Sequence, residues 1–327
     1  MRKDQQLSEN YKKNERFEQV ISSLNNQLEL AQRGLLEDKK ETYSTLHILG
    51  APRSGTTLVS QVIPSYLNVA HINNFIAAFW KAPIYGIELS KKLIGEHYKS
   101  AFSSDFGRTN SISEPHEFGY FWNHHLKYEG LQQQSKKHET KIDWGNLVHL
   151  LNNMTHAFEK PIVFKSFLMG FHASRFHQEM PKSKFIYVKR NLADNVMSIL
   201  KLRKQLNGDI DTWGSIKPIQ YEELKSLSVI EQVVGQILCL ENEYLNQLGE
   251  IPEADKLLIS YEEVCEDTEA FLAKVHNLLK FENEVTTEDF PDFNVQSKEI
   301  DTQTLDEIEK ATATILNLYP NLNLLNV

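Results

Sequence analysis

Apolar positions along this chain follow two alternating rhythms. Short, nearly continuous apolar runs bounded by polar, Gly or Pro residues predict strands at Leu46 to Leu49, Leu67 to Ile72, Pro161 to Ser166, Lys184 to Val188 and Leu257 to Ser260. Between them, apolar residues recur three or four positions apart and predict helices: one starting near Thr56 (Leu58, Val62, Ile63), then Leu147 to Phe158, Asn191 to Leu206, Leu227 to Leu248 and Ala270 to Leu279. The stretch 75–105, with Phe75, Ile76, Phe79, Trp80, Ile84 and Tyr85, predicts a long apolar helical region, and 106–128 reads as irregular and aromatic-rich. Lys136 to Glu139 reads as a charged loop, and 207–220, with Gly208, Gly214 and Pro218, as a second loop. Ahead of the first strand, residues 1–42 are polar with helical spacing at Phe17, Val20, Ile21, Leu24, Leu28, Leu30, Leu35 and Leu36, which predicts one or two amphipathic helices on a solvated surface; a docking helix for a partner is the competing reading. Strands alternating with helices imply an α/β fold with a central parallel sheet of about five strands and helices on both faces. The expected organisation is a helical extension at 1–42 and one domain at 43–327.

Composition adds bounds. With 327 residues the length permits one large domain or two small ones, and a net charge of −9 argues against a general nucleic-acid binder. No apolar run approaches the ~20 residues of a membrane helix, and the polar start Met1-Arg2-Lys3-Asp4 has no hydrophobic region behind it, so a cytoplasmic protein without a transmembrane segment is expected. Cys239 and Cys265 form no metal or disulfide pattern and read as buried free thiols.

Chemistry concentrates first at Gly50-Ala51-Pro52-Arg53-Ser54-Gly55-Thr56-Thr57, where a predicted strand runs through a tight loop into a helix. Such a loop points backbone N–H groups and the positive end of a helix at one spot and suits a phosphate or sulfate. The spacing of Gly50 and Gly55 fits a nucleotide-binding P-loop, yet Thr56 stands in place of its lysine and Arg53 is the loop's cation. The anion cradle is kept, whereas ordinary ATP hydrolysis is disfavoured. Ligands of a parallel sheet gather at the carboxyl ends of its strands, and Arg53, His71, Lys165, Arg190 and Tyr261 all lie at or just past predicted strand ends.

Pro52-Arg53-Ser54-Gly55-Thr56-Thr57 resembles the 5′-phosphosulfate loop of sulfotransferases that use 3′-phosphoadenosine-5′-phosphosulfate (PAPS). Two further segments resemble that family in the same order: Lys184 to Asn191, with Arg190 ending a strand and Ser198 eight residues on, and Leu257 to Val264, with Ser260-Tyr261-Glu262-Glu263. The resemblance covers residues 45 to about 282 and implies a P-loop-like three-layer sandwich. It also implies transfer of a sulfuryl group from PAPS to a hydroxyl or amine acceptor, releasing adenosine 3′,5′-bisphosphate (PAP), with no metal. It assigns the 5′-phosphosulfate to Arg53, Ser54, Gly55, Thr56 and Thr57, the 3′-phosphate to Arg190 and Ser198, and the nucleoside region to Tyr261. Lys165 corresponds to a lysine that assists at the phosphosulfate.

The chain departs from the family's cytosolic pattern at Lys165-Ser166-Phe167, where those members carry Lys-Thr-His with the histidine as base. Phe167 cannot accept a proton, so the resemblance favours a bacterial-type or Golgi-like branch, and the base must come from elsewhere. Ser113-Glu114-Pro115-His116-Glu117-Phe118-Gly119-Tyr120-Phe121-Trp122 resembles a segment of some bacterial-type members and supplies titratable groups beside aromatics. The expected order of candidates is Glu114, then His116, then Glu117, with His71 behind them; a helix N-terminus is the competing reading of this segment. Trp213 to Pro218 is expected to close over the cofactor, with Trp213 on a ring and Lys217 on a phosphate, against the alternative of a packed surface loop. Aromatics at 102, 106, 118, 120, 121 and 122 either line an acceptor pocket or form core. A P-loop kinase or other NTPase, and a non-catalytic nucleotide-binding protein, are the alternatives to a sulfotransferase.

Overall fold

The structure is a computed structural model that describes residues 14–95, 98–104, 107–280, 290, 293–297 and 299–325. Five strands, β1 (Thr45–Leu49), β2 (Ala70–His71), β3 (Ile162–Lys165), β4 (Lys184–Lys189) and β5 (Lys256–Ser260), form one sheet in the order β2-β3-β1-β4-β5, parallel throughout. All five were legible as apolar runs. The helices around them are α1 (Glu15–Gln32), α2 (Thr56–Tyr66), α3 (Asn74–Ala77), α4 (Pro83–Leu93), α5 (Gly119–His125), α6 (Trp144–Phe158), α7 (Phe167–Gly170), α8 (Ala173–Glu179), α9 (Leu192–Asn207), α10 (Tyr221–Leu224), α11 (Val229–Gly249), α12 (Tyr261–Glu266), α13 (Thr268–Leu279) and α14 (Thr302–Leu318).

Side-chain alternation along the strands separates two cores. Leu46, Ile48, Val163, Ile186 and Val188 pack on one face against Val59, Val62 and Ile63 of α2 and Phe271, Leu272 and Val275 of α13. Phe164, Phe185 and Tyr187 pack on the other against α5, α6, α8 and α11. Both faces of the sheet are therefore covered, as a parallel sheet requires. His47 of β1 points into the second core, stacked between Phe164 and Phe185 with ring centroids 5.4 and 5.3 Å away. A third cluster joins α9, α11 and α14 to Ala51 of the first loop. Cys239 and Cys265 are both buried free thiols, as expected.

Four local expectations need correction. The stretch 106–128, read as irregular, contains the helix α5 at Gly119–His125. The apolar stretch 75–105 is not one helix: α3 stops at Ala77, Pro83 opens α4 at a first-turn position where its missing N–H costs nothing, and α4 ends at Leu93. Residues 98–101 run instead as irregular chain whose Tyr98 and Ser100 hydroxyls and Ala101 N–H donate to the Glu114 carboxylate. Lys136 to Glu139, expected as a charged loop, lies in a short 3₁₀ helix (Lys136–Lys141) with His138 buried and its Nε2–H donating to Leu126 O at 2.8 Å. Finally, α1 turns polar residues inward. Asn25 and Gln32 are buried, while Phe17, Val20, Leu24 and Leu30 are exposed. The amide of Asn25 bonds Ala78 O and Lys81 N, and that of Gln32 bonds Lys81 O and Ile84 N. Two side chains seven residues apart thus satisfy the backbone between α3 and α4, and hold α1 on the body through hydrogen bonds.

Candidate active site

The strand order reverses direction at β1, which has β3 on one side and β4 on the other. That is the topological switch point of an open parallel sheet, where a crevice forms outside the strand ends. The loop 50–55 occupies it and leads into α2. Gly55 is the N-cap of α2 with φ +98°, and no side chain caps this terminus, so the first-turn N–H groups, which have no intrahelical acceptor, face the crevice. A Cβ on Gly55 would stand 2.4 Å from Cδ2 of Tyr261, and one on Gly50 would stand 2.5 Å from Ser54 Oγ and 2.6 Å from Val188 O. Both glycines are fixed by close approach. Arg53 adopts φ +69°, a region non-glycine residues rarely occupy, and such strain gathers at functional sites.

The residues of the expected 3′-phosphate site come together around Arg53. Its Nε donates to Ser198 Oγ at 3.2 Å, and its carbonyl accepts from Arg190 Nη1 at 3.1 Å. Arg190 lies over the Tyr261 ring, 4.8 Å from the centroid, and its Nη2 donates to Gln296 O. Tyr261 therefore forms a shelf below both the loop and Arg190. Burial pushes its phenol up to about 12, so it stays protonated near neutrality. Two donors here are buried and unspent: Ser54 Oγ and Arg190 Nε have no hydrogen-bond partner. Buried polar groups are normally satisfied, so these orphans fit an anionic ligand that brings acceptor oxygens.

Lys165, at the end of β3, is 6% exposed. Its Nζ donates to Thr57 Oγ1 at 2.9 Å and pairs with Glu117 Oε1 at 3.0 Å. The ammonium thus bridges the anion loop and a carboxylate, and the Glu117 side chain is 41% exposed, open to an incoming molecule.

The geometry reorders the candidate bases. Glu114, expected first, is 4% exposed. Its oxygens accept from Gln61 Nε2 at 2.8 Å, Tyr98 OH at 2.8 Å, Ser100 Oγ at 3.0 Å and Ala101 N at 3.0 Å. A carboxylate enclosed by four donors has no open face for a substrate proton. His116 is exposed, with Nδ1 accepting from Phe118 N at 2.8 Å in a local turn. His71 donates from Nε2 to Ser113 O at 2.8 Å, and burial lowers its pKa to about 4, which makes it a weak base. Glu117, expected third, is the candidate brought to Lys165.

Trp213 and Lys217 lie in a packed loop, the alternative reading of this segment. Trp213 packs between the Arg203 guanidinium, 4.8 Å away, and Tyr221, 4.9 Å away, and its Nε1–H donates to Ile216 O. Lys217 Nζ sits 3.9 Å from the Tyr221 ring centroid, and its backbone pairs with Leu131 and Gln133. These contacts hold the loop as a packed surface unit. Of the candidate pocket aromatics, Phe118, Phe121 and Trp122 are core, Tyr120 is exposed, and Phe102 packs against Phe293 and Tyr66; Phe106 lies outside the described residues.

Residues 46–284 match the model of the sulfotransferase family, well over half of the chain. The chain belongs to the sulfotransferase family. It is accordingly a transferase that moves a sulfuryl group, and the kinase and non-catalytic alternatives fall away. Among solved structures, sulfotransferase STF1 of Mycobacterium tuberculosis is similar at a TM-score of 0.51 and 12% identity, covering 90% of this chain and 82% of that one. Sulfotransferase STF9 of Mycobacterium avium (TM-score 0.47, 12% identity, 94% of this chain and 78% of that one) and a sulfotransferase of Alicyclobacillus acidocaldarius (0.44, 14%, 84% and 94%) are further neighbours. At such identities the likeness to STF1 shows a shared fold only. No curated protein matches the chain. Among the described residues of this sulfotransferase, no helix is long and apolar enough to cross a membrane, and no group of three or more His, Cys, Asp or Glu is placed to hold a metal.

Sequence reasoning missed Gln61, Tyr98, Ser100 and Gln296. Gln61 carried a faint signal, a polar residue between Val59 and Val62 on a helix turned toward the core. The others become neighbours of the site only through tertiary folding.

Proposed function

We propose that this sulfotransferase takes its sulfuryl group from PAPS and passes it in line to a hydroxyl or amine acceptor, with Glu117 as general base. The observation that carries this reading is the Lys165 ammonium, which touches both Thr57 of the donor loop and Glu117. Arg53, Ser54, Gly55, Thr56 and Thr57 hold the 5′-phosphosulfate. Arg190 and Ser198 hold the 3′-phosphate, an assignment supported by the orphaned Arg190 Nε. Tyr261 is the shelf beneath both groups. The catalytic body is the domain 43–327, with 1–42 as a helical extension.

In the step itself, the acceptor heteroatom forms a bond to sulfur as its proton passes to Glu117. The bond from sulfur to the bridging phosphate oxygen breaks, and PAP leaves with the electron pair. Lys165, Arg53 and the first N–H groups of α2 face the charge that builds on the leaving oxygen, the fixed-dipole stabilisation that dominates such transfers. Holding donor and acceptor in line supplies the rest.

The test uses PAPS with a panel of hydroxyl- and amine-bearing acceptors, read by the mass gain of one sulfate. Glu117→Gln should slow transfer by a factor of about 10² to 10⁴, the usual cost of losing a general base, with PAP affinity unchanged. Full activity in that variant would remove Glu117 from the mechanism.

A further inference from the structure

We infer that Glu114 is a positioning residue whose buried carboxylate fixes the segment carrying Glu117 to the donor-binding helix α2. The inference rests on the reading of Glu117 as base. The hydrogen bonds of Glu114 reach three separate pieces of chain. Gln61 Nε2 belongs to α2, the helix whose first turn supplies Thr56 and Thr57. Tyr98 OH, Ser100 Oγ and Ala101 N belong to the irregular chain after α4. The Glu114 backbone is held too: its carbonyl accepts from Asn74 N at 3.0 Å, and two residues later His116 N donates to Ile72 O at 2.8 Å. Glu117 follows immediately. A single helix therefore carries the donor cradle at its start and the anchor of the base segment on its second turn.

The side chain must be a carboxylate for a simple reason. Its four partners all donate, and an ionised carboxylate only accepts. Burial pushes the Tyr98 phenol above its usual range, which keeps it a donor. Among the described residues no cation pairs with Glu114, so its charge is met by neutral dipoles alone. Such a buried, fully bonded charge contributes little net stability and fixes one geometry, because every alternative placement leaves it unsatisfied. A glutamine would turn an amide N–H₂ toward the Gln61 amide and set two donors face to face.

The experiment follows single-turnover conversion of PAPS to PAP and sulfate, with water as the probe acceptor. The water oxygen bonds to sulfur, its proton passes to Glu117, and PAP departs with the electrons of the broken S–O bond. Glu114→Gln should slow this step about 10- to 100-fold, the scale of a small misplacement of reacting groups. Its PAP affinity should stay within about threefold of wild type, and it should keep the wild-type acid limb of the pH–rate profile, because a positioning residue is not the group that titrates. Glu117→Gln should lose that limb. The double variant Glu114→Gln/Gln61→Glu restores an acceptor opposite a donor, gives up the Gln61 Nε2 bond to Ser103 O, and should recover part of the rate. Backbone hydrogen exchange over residues 113–118 should quicken in Glu114→Gln and return in the double variant, independently of any turnover. Should Glu114→Gln fail to fold, Tyr98→Phe removes one donor and is read in the same way. A wild-type rate in Glu114→Gln (or in its substitute Tyr98→Phe), or exchange at 113–118 that does not change, overturns the positioning role alone. Loss of the acid limb in Glu114→Gln with its retention in Glu117→Gln makes Glu114 the base and overturns it as well. A wild-type protein that binds PAP and consumes PAPS neither with water nor with any of the hydroxyl- and amine-bearing acceptors overturns the proposed reaction.

Discussion

Arg190 shows how much of this site is settled by one side chain. Its Nη1 and Nη2 are spent on the carbonyls of Arg53 and Gln296, and its plane lies on Tyr261. The guanidinium is thereby aimed before any ligand arrives, and the buried Nε is left for an acceptor. Such pre-aimed donors bind a phosphate without first losing rotamer freedom. Arg190→Ala should therefore weaken PAP binding by roughly 1.5–3 kcal/mol, the range of a hydrogen bond to a charged group, or more than tenfold. The same substitution should leave the affinity for adenosine 5′-phosphate, which has no 3′-phosphate, nearly unaltered. Calorimetry with both nucleotides checks this, and equal losses for the two would move the 3′-phosphate site elsewhere.

Among the elements, α1 is held in an unusual way. An amphipathic helix generally buries its apolar stripe, yet here the two buried residues are Asn25 and Gln32, and Phe17, Val20 and Leu30 face outward. Each amide both donates and accepts, so the pair satisfies two carbonyls and two N–H groups between α3 and α4. Replacing both by alanine strips these four hydrogen bonds, besides the one from Asn25 to Ile21 O within α1, and leaves buried backbone groups unpaired. At about 0.5–1.5 kcal/mol for each bond, the double variant should lose about 2–6 kcal/mol of stability. Urea denaturation measures the loss, and limited proteolysis should find α1 released before the sheet unfolds. A midpoint equal to that of wild type would mean that α1 is held by something other than these amides.

For the whole molecule, two buried histidines in the core beneath α5 and α8 set an acid limit. His47 is 1% exposed among aromatic rings and His125 is 8% exposed, and burial lowers the pKa of each to about 3. Unfolded, both would titrate near 6.5. The folded state thus favours neutral imidazoles: their contribution is complete above about pH 6.5 and drains away as pH falls toward 3, where the unfolded chain binds protons that the folded chain refuses. Each group costs up to about 1.4 kcal/mol per pH unit across that window. His47→Phe keeps a ring between Phe164 and Phe185 and removes one of these titrations. The drop in Tm from pH 7 to pH 5 should therefore be smaller in this variant than in wild type. An equal drop would show that His47 takes no part.

The strands, the glycine-bounded loop and the convergence of Arg53, Lys165, Arg190 and Ser198 on one rim were legible from the chain because each depends on local order. An apolar run makes a buried parallel strand, a glycine-bounded turn before a helix makes a cradle, and strand ends collect at one rim. Gly55 could be placed from its neighbours in sequence, whereas the reason no Cβ fits there, the Tyr261 ring, comes from 206 residues later. The ranking of Glu114 and Glu117 was beyond local reading for the same reason. Both are acidic residues beside the same aromatics, three positions apart. Only folding brings Gln61, Tyr98, Ser100 and Ala101 around the first and Lys165 to the second. Trp213 likewise looked available until Arg203 and Tyr221 closed on its two sides. Residue type and spacing determined which chemistry this protein carries, and long-range contacts decided which of several equivalent groups is enclosed and which stays exposed.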